Sequence, residues 1–187
     1  MKIIKILSNQ YFWLALILII SFLVRLYKID SPIADWHSWR QADTAAVTRN
    51  FIKEGFNPFL PKGDDMSGIA ETPLVNTLRY RFVEFPIYNI FVYPFYLLFG
   101  INEIYSRLVS VFFSLGSLIF VYFIARKYLG ILTALLSAFI FGLLPFNVFF
   151  SRTTLPEPTF IFFSLGMIYF LDRSSLWGFL FMAIAFL

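Results

Sequence analysis

Apolar residues in this chain fall into long runs separated by short polar stretches, and several runs are long enough to cross a bilayer. Residues 11–27 are almost uninterrupted hydrocarbon, preceded by Lys2 and Lys5. At a rise of ~1.5 Å per residue this run nearly spans a hydrocarbon core of ~30 Å, and flanking residues complete the crossing. A cleaved signal peptide is the competing reading. The run lacks a small-x-small exit, and Arg25 and Lys28 close it directly, which predicts a retained signal-anchor with its N-terminus inside. Further spanning helices are predicted over 106–125, ending at Arg126-Lys127, over 131–150, interrupted by Pro145, and over 159–172. A partial run covers 176–187. Residues 86–99 are apolar and aromatic but fall short of the ~17 residues a crossing needs, which predicts an interfacial or re-entrant helix.

Between the first two runs lies a long polar segment, 28–105, holding Asp35, Asp43, Glu54, Asp64, Asp65, Glu71 and Glu84. Within it, 39–53 has no Pro or Gly and reads as an amphipathic helix lying at the membrane surface. Gly55-Phe-Asn-Pro and Lys62-Gly-Asp-Asp are breakers and turns. Two topologies compete. If 86–99 spans, Arg126-Lys127 lies outside and Arg152 inside. If it stays at the outer interface, Lys2, Lys5, Arg126, Lys127 and Arg173 all lie inside. The second arrangement satisfies the positive-inside rule and segment length together, and it places 28–105 and 151–158 on one outer face. The expected fold class is therefore an all-α integral membrane protein, a polytopic helical bundle with interfacial helices in a long first outer loop. The short apolar run at the end predicts the N-terminal part of a longer polytopic protein.

Composition agrees with this. The chain is 59% hydrophobic and 21% aromatic, with a mean hydropathy of +0.76, too apolar to cover a soluble domain of this size with polar surface. The net charge of +4 is no nucleic-acid footprint, because the Lys and Arg residues sit between apolar segments as topology determinants. With no cysteine and a single histidine, thiolate and multi-histidine metal sites are excluded.

In a chain of this kind, polar chemistry gathered at the membrane edge marks the functional region. The densest such cluster runs from Asp35 to Phe51. On a helix, Arg40 and Asp43 share a face, so Arg40 is positioned to orient Asp43 and keep it ionised as a general base. A solvated pair of little consequence is the alternative. His37 reads as a base, a phosphate donor or an interfacial polar residue. Trp36 and Trp39 read as belt anchors or sugar-stacking platforms. A second cluster, Ser151-Arg152-Thr-Thr-Leu-Pro-Glu157-Pro158, is helix punctuation by local rules, yet in the chosen topology it faces the same side as Asp43. A third is Arg81-Phe-Val-Glu84-Phe-Pro86, followed by Arg107 at the head of a spanning helix, which either snorkels or binds phosphate. No phosphate loop, nucleophile elbow or His cluster is present.

These constellations, in this order, resemble the GT-C membrane glycosyltransferases. The likeness is to the dolichyl-phosphate-mannose protein mannosyltransferase superfamily and its bacterial aminoarabinose-transferase-like relatives. It rests on Trp39-Arg-Gln-Ala-Asp43-Thr, Glu84-Phe-Pro86, Arg107-Leu-Val-Ser and Arg152-Thr-Thr-Leu-Pro-Glu157-Pro, and covers the N-terminal part of a typical member. The resemblance implies transfer of a sugar from a polyprenyl-phosphate carrier to an acceptor, glycolipid, polysaccharide or protein, on the outer face of the cell membrane. It further implies Asp43 as the catalytic carboxylate, with Asp35 as its rival because many members carry adjacent Asp-Glu there. His37, Arg40, Gln41, Glu84, Arg107, Arg152 and Glu157 then serve substrate and phosphate binding. A divalent cation remains open, since Asp43, Glu84 and Glu157 suit a hard cation or work without one. Two other functions compete: a transporter or flippase, which should carry internal repeats and mid-helix charges, and a non-catalytic membrane subunit.

Overall fold

The computed structural model describes residues 9–33, 36–67 and 75–187. Among these, eight α-helices follow one another: α1 Gln10–Arg25, α2 Ser38–Glu54, α3 Ile87–Phe99, α4 Glu103–Leu129, α5 Ile131–Leu143, α6 Pro145–Phe150, α7 Glu157–Leu171 and α8 Trp177–Ala185. No strand occurs among the described residues, only an isolated bridge between Lys62 and Tyr80 in the loop after α2. Asp35 lies outside the described residues, as do Lys2, Lys5 and Glu71.

Local chemistry sets the helix ends. The Asn9 and Asn102 side chains accept from the backbone N–H groups of Tyr11 and Ile104, both at 2.9 Å, and so cap α1 and α4. The Asn102 cap starts α4 ahead of the apolar run, and Gly130, at φ +83°, ends it in a conformation that costs a glycine little. The apolar run 131–150 is not one rod. Leu144 before Pro145 is extended (φ −57°, ψ 122°), as pre-proline sterics demand, and the run divides into α5 and α6. Among the described residues α4 alone is long and apolar enough to cross a membrane unaided; α1, α3, α5 and α7 are apolar but shorter.

The centre of the bundle is α4, which packs on α5 and α7 and also touches α1 and α3; α2 lies on α3, and α8 on α7. In lipid, apolar side chains gain nothing by leaving hydrocarbon for one another, so helices associate through close packing and hydrogen bonds. The interior reflects that. Ala134, Ala138 and Gly142 recur at four-residue intervals on α5, and Ala134 and Ala138 are fully buried. At Gly142 an added Cβ would come within 2.8 Å of Leu118. Leu23, Leu132 and Ile140 are among the large apolar side chains left on the outside.

Charges sort to the two ends. Tyr122 on α4 donates to Gln10 at 2.8 Å and Arg126 to the Tyr11 hydroxyl at 2.9 Å, so α1 and α4 are antiparallel. Lys127 pairs with Asp172 at that same end. At the opposite end Arg107 donates to the Ile29 carbonyl at 3.0 Å, and there α2, residues 84–86 and residues 151–156 meet.

Arg25 departs from its sequence reading. It follows the first apolar run like a flanking topology charge, yet it is fully buried. Its Nε donates to the Ser151 hydroxyl at 2.6 Å, its Nη1 to the carbonyls of Ser21 (2.9 Å) and Gly142 (2.7 Å), and its Nη2 to the Ser114 hydroxyl at 3.3 Å. A buried cation persists only when so solvated by dipoles.

Candidate active site

Three stretches that are distant in sequence converge on Arg40, in the first turn of α2. Its Nε donates to Glu157 Oε1 at 3.1 Å and its Nη2 to Glu84 Oε2 at 3.4 Å. The side chains are 26%, 44% and 35% exposed for Arg40, Glu157 and Glu84. Half-exposed pairs of this sort contribute only ~0–1 kcal/mol each, so their consequence is geometric. One cation holds two carboxylates, and the group carries a formal charge of −1. A cavity of about 220 Å³ opens beside it, lined by Arg40, Glu84, Tyr88, Glu157, Phe160 and Phe163 among others.

Asp43 does not pair with Arg40, contrary to what their shared helix face predicts. Arg81, in the stretch before α3, donates to Asp43 Oδ2 at 2.7 Å, with side-chain exposures of 16% and 21%. The reason is competition: Arg40 meets two carboxylates from other segments, while Arg81 reaches Asp43 across the loop. Asp43 is still oriented by a guanidinium, though a different one.

The remaining predicted residues take distinct positions. His37, the N-cap of α2, adopts a left-handed backbone (φ 59°, ψ 33°) and makes no side-chain cap bond, at a cost of about 1 kcal/mol. Its ring packs on Trp36 and Phe150, with centroids at 5.7 and 6.0 Å. Gln41 is fully buried; its Nε2 donates to the Trp36 carbonyl at 3.1 Å, and its Oε1 accepts from the Thr154 N–H at 3.3 Å. It therefore joins the first loop to the second. Arg107, 2% exposed, donates to the Ile29 carbonyl and, at 3.2 Å, to the Ser31 hydroxyl. Arg152 donates to the Tyr27 carbonyl and lies over the rings of Tyr27 and Phe149, each at 5.6 Å. Arg40, Glu84 and Glu157 thus share one cavity, whereas Arg107 and Arg152 clamp the chain leaving α1.

Beneath the site runs a polar face that the sequence reading passed over. Ser106, Ser110 and Ser114 recur every fourth residue on α4, with Ser117 following, and all four are buried. Ser110 donates to the Thr153 carbonyl at 2.7 Å, and the Ser106 and Thr154 hydroxyls bond at 2.8 Å. Tyr88 donates to the Ser106 carbonyl at 2.7 Å. Asn89 ties α3 to α2 through the Thr44 carbonyl and the Thr48 hydroxyl, at 2.7 and 2.8 Å. Hydroxyls at helical spacing in an apolar segment are the signal for such an interior face.

Among the described residues no group of three or more His, Cys, Asp or Glu side chains is gathered as a metal ion would require; Glu84 and Glu157 meet on Arg40 instead.

The sequence profile of the dolichyl-phosphate-mannose-protein mannosyltransferase family matches residues 85–186. The chain belongs to that family. Its members are membrane-integral glycosyltransferases. The mannosyltransferase-family match contains Arg107, Arg152 and Glu157, whereas Arg40, Asp43 and Glu84 precede it. A curated relative, an uncharacterized protein of Aquifex aeolicus (strain VF5), is 39% identical over 111 residues, covering 58% of this chain and 26% of the relative. The chain thus spans about a quarter of that relative's length. No solved structure matches.

Proposed function

We propose that the protein is a glycosyltransferase of the GT-C type. It moves a sugar from a polyprenyl-phosphate carrier to an acceptor hydroxyl at the outer face of the cell membrane, within a polytopic bundle whose N-terminus is cytoplasmic. The observation that carries this reading is the convergence of Glu84, Glu157 and Arg40 on one cavity at a single end of the bundle. The segregation of Arg126, Lys127 and Arg173 to the other end supports the orientation, by the positive-inside rule.

The chemistry is a single displacement. The acceptor oxygen attacks the anomeric carbon, the bond from that carbon to the phosphate oxygen breaks, and the polyprenyl phosphate leaves as an anion that needs no general acid. The acceptor proton passes to a carboxylate, for which we propose Asp43, held in place by Arg81. Arg40 supplies the positive charge nearest the cavity. Asp35 is the alternative base, and Arg107 and Arg152 act on this reading by fixing the chain between α1 and α2.

The test is sugar transfer in vesicles containing the protein and a radiolabelled polyprenyl-phosphate sugar. Wild-type protein should yield labelled acceptor, and Asp43→Asn should lose transfer while still binding the donor. Movement of donor across the bilayer with no sugar transferred would replace the enzyme with a transporter. Full activity in Asp43→Asn with none in Asp35→Asn would reassign the base.

A further inference from the structure

Arg81 reaches Asp43 from a stretch of chain that is itself tied to α2. Residues 61–63 and 79–81 run antiparallel through the bridge between Lys62 and Tyr80. The Gly63 N–H donates there to the Arg79 carbonyl at 2.8 Å, and the Arg81 N–H to the Pro61 carbonyl at 2.9 Å. One of the two stretches presents the Arg81 guanidinium to Asp43, at 2.7 Å. The other is held by Asn50, whose Nδ2 donates to the Lys62 carbonyl, the Gly63 carbonyl and Asp64 Oδ1, each at 3.0 Å. Asn50 is buried.

Asn50 and Asp43 stand seven residues apart on α2, two turns and about 10 Å along one face of the helix. The paired stretches therefore straddle that face: Asn50 grips the backbone of one, and Asp43 meets a side chain of the other. The stem of Arg81 passes beside Gly63, where an added Cβ would lie 3.6 Å from Arg81 Cδ. The peptide that Asn50 holds is thus also the surface on which Arg81 rests. Further links between this segment and α2 are ion pairs, Arg49 with Asp64 and Glu54 with both Lys62 and Arg79. Their side chains are 30–50% exposed, and pairs of that exposure hold position weakly. The Asn50 amide works in the interior, where each bond it loses strands a carbonyl.

We propose that Asn50 is a positioning residue for sugar transfer: it fixes residues 61–63 against α2, the bridge carries that placement to residues 79–81, and Arg81 is thereby set on the Asp43 carboxylate. The consequence for catalysis rests on the reading of Asp43 as the base, whereas the placement of Arg81 does not. An amide suits this task. Two of its acceptors are backbone carbonyls, whose positions do not depend on a side-chain rotamer, and being neutral it keeps its grip in salt that screens the ion pairs around it. Asn50 and Asp43 share one rigid helix, so the distance between anchor and base is constant, and only the guanidinium's approach depends on the paired stretches. A displacement of about 1 Å in a supporting element is enough to cost a reaction two orders of magnitude.

Carboxyl footprinting tests the placement, and sugar transfer tests its consequence. Protein in lipid nanodiscs is treated with a water-soluble carbodiimide and glycine ethyl ester, and modification of each carboxyl is mapped by mass spectrometry. The Arg81 guanidinium covers the Asp43 carboxylate, whose side chain is 21% exposed; Arg81→Gln uncovers it and sets the ceiling of labelling. Asn50→Leu, of similar shape but without a donor, should raise Asp43 labelling most of the way to that ceiling and leave Glu157 as it was. Glu54→Gln, which breaks two of the exposed ion pairs, should raise it less. In transfer assays Asn50→Leu should lower kcat by about ten- to a hundredfold, with the KM for the polyprenyl-phosphate sugar little changed. It should add nothing further in an Arg81→Gln background, whereas a general loosening of the fold would multiply the two losses. Asn50→Ala removes the same donors without adding methyl groups and takes the place of the leucine variant if that does not elute as folded protein. Asp43 labelling unmoved in a folded Asn50 variant overturns the proposal. So does labelling raised as much by Glu54→Gln, or losses that multiply with Arg81→Gln. Raised labelling in a protein whose wild type transfers no sugar would sink the transferase reading and leave the placement of Arg81 by Asn50 intact. Wild-type transfer with Asp43 equally shielded in the Asn50 variants would do the reverse.

Discussion

Replacing Gln41 with leucine should loosen the second loop without dismantling the bundle. The side chain is fully buried and bridges the Trp36 carbonyl to the Thr154 N–H. Leucine fills similar volume but offers neither group. Trp36 is 71% exposed, so its carbonyl turns to water at little cost. Thr154 is fully buried, and its stranded N–H carries a penalty of about 1–3 kcal/mol. Opening of that loop becomes easier by the same amount, which corresponds to a factor of about 5–150 in its opening equilibrium. Hydrogen exchange followed by mass spectrometry in detergent reads this directly: peptides covering 151–156 should exchange faster by that factor, with α4 unchanged. Unaltered exchange at Thr154 would show that Gln41 does not latch the two loops. Loss of protection throughout α4 would show that Gln41 supports the core and not the loop. Either result would refute the reasoning.

Arg40→Ala removes the positive charge nearest the cavity and should lower sugar transfer by about a hundredfold, the cost of losing one electrostatic donor at a reacting centre; Arg40→Lys, with one compact charge for two carboxylates, should fall between, and equal rates for all three would remove Arg40 from the site. Gly142→Val drives a side chain into Leu118, where even a Cβ stands 2.8 Å away, and should destabilise by about 1–3 kcal/mol; an unchanged melting temperature in detergent would mean that α4 and α5 can part freely. The first loop should weaken in acid. Hydrogen bonds from Arg79 and then Lys62 hold the Glu54 carboxyl below its ordinary value of 4.5. A depressed carboxyl stabilises the folded loop above that value and loses the contribution as pH falls through its folded pKa, so proteolysis within 55–67 should accelerate on acidification below 4.5 and stay flat above it. Glu54→Gln should remove the acid dependence; if it persists, another group is responsible.

The helices were legible because bilayer crossing and helix capping are local demands. A helix forms over Ser38–Glu54 where one was expected over 39–53, and the short aromatic run over 86–99 forms a helix at Ile87–Phe99. Partner choice was not legible. An i, i+3 spacing puts Arg40 and Asp43 on one face, but nothing in the spacing says that Glu84 and Glu157 will outcompete Asp43, or that Arg81 will replace Arg40. Arg25 was hidden for a related reason. At the end of an apolar run a basic residue satisfies a topology rule, and only the fold shows that Ser21, Ser114, Gly142 and Ser151 surround it. The serine face of α4 was readable in principle, since four hydroxyls at helical spacing have no reason to face lipid.

That burial of Arg25 bears on how a weak ion-pair cluster can have a defined shape. The bonds from Arg40 to Glu84 and Glu157 are partly exposed and hold their carboxylates loosely by energy alone. The loop that delivers Glu157 is fixed elsewhere: Arg25 holds Ser151 at 2.6 Å, Ser110 holds the Thr153 carbonyl at 2.7 Å, and Ser106 meets Thr154 at 2.8 Å. Five residues separate Ser151 from Glu157, and residues 151–154 include three buried polar side chains anchored to α1, α4 or α6. The position of Glu157 is thus set by hydrogen bonds in the low-dielectric interior, where an unmade bond is costly, and not by its own exposed pair. Such a carboxylate can exchange Arg40 for a substrate group during a reaction without losing its place, because its place never depended on Arg40.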